Sequence, residues 1–279
     1  MELYSGVREL AVESSIIDEL SMLGVTTITG TELFPNEFVL LRAAATDKPM
    51  IVRHTSKGVV KRHEPVASML PPRNKEQSWA FELLYDESVK LVTLTGPAGV
   101  GKSLLAIAAG KQQLDRKRYS CMLVTRPIVT LGRDLGYLPG TVEEKMAPWI
   151  APIKDNLKFL LDYEGTKKGG KRSSMQMLFD NDIIEIEAVA YIRGRSLPNT
   201  YMIVDEAQNL DLASLKTIIT RAGEGTKIVL TGDLDQVDTK IAPGLPVVIE
   251  RFKEEVIAGH ISLLKGERSA LATIASQIL

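Results

Sequence analysis

One octapeptide, Gly96-Pro97-Ala98-Gly99-Val100-Gly101-Lys102-Ser103, constrains this chain more than any other stretch. It fits the Gly-x-x-x-x-Gly-Lys-Ser/Thr pattern of a phosphate-binding P-loop. Gly96, Gly99 and Gly101 let the backbone curl until successive amides point into one concavity. The helix that follows adds the positive end of its dipole. Lys102 is expected to reach the β- and γ-phosphates of ATP, and the Ser103 hydroxyl to join the shell of a magnesium ion. The flanks agree, since the apolar run Leu91–Thr95 enters the loop as a strand and an Ala- and Leu-rich helix leaves it.

The segments around the loop predict the rest of the fold. Five short apolar runs, Leu91–Thr95, Cys121–Thr125, Ile183–Ala188, Tyr201–Val204 and Lys227–Thr231, alternate with helical stretches at Lys102–Leu114, Val142–Leu161, Leu212–Arg221 and Pro246–Glu255. Strands that read as continuous apolar runs and alternate with helices indicate a parallel sheet covered on both faces. The expected class is α/β, a P-loop NTPase with a RecA-like sheet. A small β-rich accessory domain is expected over residues 1–65, with runs such as Phe38–Leu41 and Met50–Arg53. Residues 66–74, containing Pro71-Pro72, read as a linker, and 75–279 as the nucleotide-hydrolysing domain. Tyr163–Ser174, rich in Gly and Lys, reads as a mobile exposed loop.

The strand Tyr201–Val204 ends in Asp205-Glu206, and this pair sets the expected chemistry. In P-loop enzymes the first acid holds magnesium through its water shell and an adjacent glutamate polarises the attacking water. Asp205 and Ser103 are therefore the metal-site candidates, and Glu206 the candidate base. An adjacent glutamate argues for hydrolysis rather than transfer to another acceptor. A GTPase would need an Asn-Lys-x-Asp reader of guanine; Asn74-Lys75-Glu76-Gln77 lacks the aspartate and precedes the P-loop. The next strand ends in Thr231-Gly232-Asp233-Leu234-Asp235-Gln236. Neighbouring strand ends gather at the carboxyl edge of a parallel sheet, so Gln236 or Thr231 is expected near the γ-phosphate or the water. Gln77, before the P-loop strand, is a candidate reader of the adenine edge.

Charge and composition bound the partners. A net charge of −1 gives no global field for a polyanion. Positive charge is local, as in Lys48–His63, with Arg53, Lys61 and Arg62 and no acid, and in Arg116-Lys117-Arg118. Aromatic residues make up only 5%, which leaves few rings for stacking bases. The single cysteine, Cys121, excludes an internal disulfide framework and a cysteine zinc site. No apolar run approaches the ~20 residues that cross a bilayer, and the N-terminus lacks signal-peptide character. A cytoplasmic protein that does not engage a membrane is expected.

With these motifs assembled, the sequence resembles the PhoH-like family of P-loop ATPases over roughly residues 73–279. The segment Thr125-Arg126-Pro127-Ile128 through Leu135-Gly136-Tyr137-Leu138-Pro139-Gly140, then Glu143-Glu144-Lys145-Met146, is similar to that family's most distinctive stretch. Tyr191-Ile192-Arg193-Gly194-Arg195, before the acid pair, matches as well. Related motifs occur in superfamily-one helicases. The resemblance implies a hexameric ring and an ATP-driven motor acting on RNA or another single strand; a nucleotide-dependent switch or scaffold with slow hydrolysis and a protein partner is the alternative. It also implies that Arg268, in Glu267-Arg268-Ser269, opens the last helix and meets the γ-phosphate within a subunit or across an interface. Arg193 and Arg195 would do the same or bind nucleic-acid phosphate. Arg126, Lys167, Lys168, Lys171 and Arg172 are further nucleic-acid candidates. In one branch of the family a PIN ribonuclease domain precedes a segment resembling Leu3–Leu10 and Asn36–Arg42. That domain is missing from this sequence, so a chain cut from a longer protein is expected, a natural form lacking the nuclease being the alternative.

Overall fold

The computed structural model describes residues 3–43, 49–55, 59–127, 142–168, 175–192, 194–237 and 242–266. The larger sheet has six parallel strands: β6 (Leu91–Thr95), β7 (Cys121–Arg126), β8 (Ile184–Ala188), β9 (Thr200–Val204), β10 (Lys227–Gly232) and β11 (Ala258–Ser262). Their order is β11-β6-β10-β9-β7-β8. Strands β6, β9 and β10 are buried along their whole length, because helices cover both faces and no side chain can turn to water.

The period-two alternation of a strand therefore sorts residues between two cores rather than between core and solvent. Val92, Leu94, Val124, Ile203 and Val229 enter one core with α2 (Lys75–Tyr85), α3 (Lys102–Asp115) and α4 (Val142–Lys168). Leu91, Leu123, Met202, Val204, Ile228 and Leu230 face the other, with α7 (Leu212–Ile219) and α8 (Leu245–Phe252). On α3, a Cβ at Gly110 would lie 2.5 Å from the Met122 sulfur and 2.8 Å from the Tyr201 ring. Only glycine lets the helix that follows the P-loop sit this close to the sheet.

The first part of the chain forms a five-stranded mixed sheet of order β1-β3-β4-β5-β2. Its strands are β1 (Val7–Ala11), β2 (Val25–Thr27), β3 (Phe38–Arg42), β4 (Met50–His54) and β5 (Val59–Arg62), with helix α1 (Ser14–Leu23) packed on it. Strand β3 is the seam between the two sheets. Val39 and Leu41 pack with Ile17 and Leu20, whereas Phe38 and Leu40 enter the core of α2 and β6. The Phe38 ring stacks on Trp79 at 5.6 Å, and Arg53 pairs with Asp86 at 2.7 Å and Glu82 at 3.2 Å.

Three differences from the sequence expectation have physical reasons. Residues 163–168 close the last turns of α4 instead of forming a loop; Phe159 stacks on Tyr163 at 6.3 Å, and the Thr166 hydroxyl donates back to the Tyr163 carbonyl. Residues 169–174 lie outside those described. The N-terminal segment holds an amphipathic helix, α1, that burying Ile17 and Leu20 stabilises. The sheet also gains β11, whose Gly259, His260 and Ser262 hide its strand character; it pairs with β6 in parallel from Ala258↔Leu91 to Ser262↔Thr95.

Candidate functional site at the carboxyl edge of the large sheet

The P-loop leaves the carboxyl end of β6 and enters α3. Gly96, Gly99 and Gly101 have φ of 142°, 86° and 96°, a region that side chains disfavour. Gly96 is constrained twice, since a Cβ there would lie 2.0 Å from the Leu263 carbonyl oxygen. Strand β11 thus backs the loop, and Leu263 N–H donates to the Thr95 carbonyl at 2.7 Å. Lys102 Nζ donates to the carbonyls of Gly96 at 2.5 Å and Pro97 at 2.9 Å, which holds the ammonium over the loop.

Three strands deliver the remaining groups. β10 separates β6 from β9, and its Gly232 carbonyl accepts from Gly96 N–H at 3.2 Å. Asp205 follows β9 and is buried. Its Oδ1 accepts from the Ser103 hydroxyl at 2.6 Å and from the Thr231 hydroxyl at 2.6 Å. Its own N–H donates to the Thr125 carbonyl of β7 at 2.8 Å. The metal-site candidates Ser103 and Asp205, distant in sequence, are therefore in direct contact.

Glu206 adopts φ 54°, ψ 39°, the left-handed region, which costs a non-glycine residue of order 1 kcal/mol. Two groups hold its carboxylate. Arg126 at the end of β7 pairs with Oε1 at 3.2 Å, and the Gln208 amide donates to Oε2 at 2.6 Å. The same amide donates to the Gln236 carbonyl at 3.1 Å, while Gln208 Oε1 accepts from Asp233 N–H at 3.1 Å. Asp233 is buried with one carboxylate oxygen unpartnered among the described residues.

The candidates from sequence fall into three groups. Lys102, Ser103, Asp205 and Glu206 converge with Thr231, and Gln236 joins them through its backbone. Gln77 lies beneath the P-loop, with its amide nitrogen donating to the Val100 carbonyl at 3.1 Å and its oxygen accepting from Arg73 N–H at 2.9 Å. In these contacts it braces the loop rather than presenting a free edge to a base. Two arginines expected on nucleic acid are engaged elsewhere: Arg126 with Glu206, and Arg195 with Glu187 at 2.8 Å and Glu185 at 3.3 Å. Lys167 and Lys168 belong to α4, where only their backbone is described. Lys171, Arg172, Arg193 and Arg268 lie outside the described residues. Sequence reasoning missed the grip of Arg126 and Gln208 on Glu206. The glutamine in Asp205-Glu206-Ala207-Gln208 was a signal for the second, but nothing local pointed to the first.

Residues 69–277 match the family described as PhoH-like protein. The chain belongs to that family. Its PhoH-like relatives include Protein PhoH2 of Bacillus subtilis (strain 168), 41% identical over 291 residues that cover 100% of this chain and 65% of that protein. Protein PhoH2 of Mycolicibacterium smegmatis is 33% identical over 282 residues, covering 99% and 62%. The chain thus spans less than two thirds of the length of either PhoH2 protein. Among solved structures it is similar to the Pif1 helicase from Candida albicans, with a TM-score of 0.35 and 18% identity over 71% of this chain and 41% of that one. No helix among the described residues is long and apolar enough to cross a membrane.

Proposed function

We propose that this PhoH-like chain binds ATP with magnesium at the carboxyl edge of its large sheet, hydrolyses it, and couples turnover to single-stranded RNA as a ring of six subunits. The observation that carries the hydrolytic reading is the meeting of the Ser103 and Thr231 hydroxyls on Asp205 Oδ1 beside a glycine-formed cradle, with Glu206 next in the chain. The donor set suits magnesium, which takes one or two carboxylates plus substrate phosphates. Ser103 and Asp205 would hold the ion, and when bound it would neutralise charge on the phosphates.

The chain's own residues do the remaining work. The P-loop amides and the start of α3 bind phosphate through hydrogen bonds and the helix dipole. Lys102 exchanges two neutral carbonyl acceptors for phosphate oxygens, which makes charge-assisted bonds of about twice the strength. Glu206 orients a water and takes its proton. Thr231 keeps Asp205 in one rotamer. The RNA reading rests on the family's helicase-like motifs and the local basic clusters.

A second reading, a slow nucleotide-dependent switch, is favoured by one observation: both oxygens of Glu206 are held, by Arg126 and Gln208. A base restrained in this way turns over slowly until the restraint is exchanged. The ATPase rate with and without single-stranded RNA separates the readings. The motor reading expects stimulation that fades with salt, as basic side chains release counterions from the strand. A rate unmoved by RNA at low salt leaves the switch.

A further inference from the structure

Two basic clusters that stand apart in the sequence meet in one cleft at the junction of the two sheets. One wall is β5, which carries Lys61 and Arg62. The other is the carboxyl end of α3 and the turn after it, with Arg116 and Arg118. The cleft between them has a volume of about 450 Å³, inside the ~300–1,000 Å³ range of ligand sites.

Its charges are unequally satisfied. Arg53 at the cleft floor is buried and is neutralised by Asp86 and Glu82. Arg118 pairs with Glu87 at 3.0 Å, but both side chains are more than half exposed, so water screens the pair and it exchanges at little cost. Lys61 and Arg62 are exposed and form no ion pair among the described residues, and Glu64 is the one remaining carboxylate of the lining. Lys61 stands directly opposite Arg53 in the β4–β5 ladder; Asp86 and Glu82 already offset Arg53, so the free positive charge of this wall is that of Lys61 and Arg62. Arg116 lies over the Tyr85 ring, its guanidinium carbon 5.6 Å from the centroid, with its outer face open. A polyanion running between the two walls would meet Lys61 and Arg62 on one side, and the stacked Arg116 offers it a flat cationic face on the other.

We propose that this junction cleft binds the phosphodiester backbone of single-stranded RNA, with Lys61, Arg62, Arg116 and Arg118 as its phosphate contacts. The proposal rests on the RNA reading above but concerns a different edge of the molecule. The cleft lies where α3 ends and β7 is about to begin, at the amino edge of the parallel sheet. The P-loop lies at the other end of α3, about 20 Å away for 14 residues at 1.5 Å each. A strand held here is separated from ATP by the length of that helix, whose first residues are Lys102 and Ser103. Arg126 and Arg195, which the sequence offered for this role, do not line this cleft; they pair with Glu206 and with Glu185 and Glu187.

Fluorescence anisotropy with labelled oligo(U) RNA tests the proposal on the chain as it stands, across a salt series. The double variant Lys61→Glu/Arg62→Glu should weaken binding at least tenfold and flatten the log Kd–log salt slope by roughly 0.7 for each phosphate that is no longer neutralised. Lys61→Arg/Arg62→Lys should keep both affinity and slope. Because these side chains are exposed and remote from the P-loop, the affinity for a fluorescent ATP analogue and the melting temperature should be unchanged in both. Wild-type affinity and slope in the charge-reversed variant would overturn the cleft while leaving the RNA reading intact. Absence of RNA binding by the wild type at low salt would overturn both. Cleft-dependent binding without any effect on ATPase rate would uphold the cleft and overturn the coupling alone.

Discussion

His260 sits in β11, the strand that backs the P-loop, and its burial makes stability depend on pH in a way that can be calculated. The ring is fully enclosed; Nδ1 meets the Thr93 hydroxyl at 2.7 Å and Nε2 meets the Ser262 hydroxyl at 3.1 Å. Desolvation holds its pKa down at about 4, against 6.5 for a free imidazole, with the Glu250 charge only partly opposing this. The unfolded chain therefore takes up a proton below pH 6.5 that the folded chain refuses until pH 4. The neutral ring costs nothing above pH 6.5, and stability is lost as pH falls from there towards 4. Between pH 7.5 and pH 4.5 this one group removes about 2.5 kcal/mol, from a shift worth 1.36 kcal/mol per pH unit. Carboxylates add their own acid sensitivity, so the comparison must be with His260→Gln, which keeps polar contacts and cannot titrate. Urea unfolding at the two pH values should show the wild type losing about 2.5 kcal/mol more than the variant. An equal loss in both proteins would refute the burial argument.

Three further outcomes follow from single contacts. Lys227, buried beneath α2, donates to the carbonyls of Leu83, Leu84 and Asp86 at 2.7–2.8 Å, so Lys227→Met should cost roughly 2–4 kcal/mol in chemical unfolding by leaving buried acceptors unmatched. Gly96→Ala places a methyl group against the Leu263 carbonyl at a φ of 142°, and should weaken ATP binding at least tenfold by calorimetry while the N-terminal sheet stays folded. If Arg268 acts across a subunit interface, mixing Arg268→Ala with Glu206→Gln should restore some hydrolysis, and no mixture of two variants confined to their own subunits will.

What was legible in the sequence is what one short segment determines by itself. Three glycines before Lys102 admit few backbones, and an apolar run that ends in Asp205-Glu206 marks a buried strand meeting a charged edge. The hidden parts depend on distant partners. Strand β11 was not among the expected strands because Gly259 and His260 interrupt its apolar run; it is a strand because Leu91–Thr95 offers it an edge and Thr93 and Ser262 satisfy the imidazole. Lys227 opens an expected strand, but its three acceptors come from the carboxyl end of α2, which nothing local to the strand announces. Arg126 was legible as a cation but not as the partner of Glu206, since the two meet only when β7 pairs with β9.

The central claim, that Glu206 is the hydrolytic base of an ATP site built on Lys102, Ser103 and Asp205, is tested most directly by single-turnover hydrolysis in the Glu206→Gln variant, with nucleotide affinity measured beside it. The amide can accept neither the water's proton nor its full hydrogen bond, so the rate should fall by at least about 10²-fold, while the affinity for ATP with magnesium stays within about threefold of wild type because the P-loop is untouched. Near-normal turnover in that variant would contradict the account.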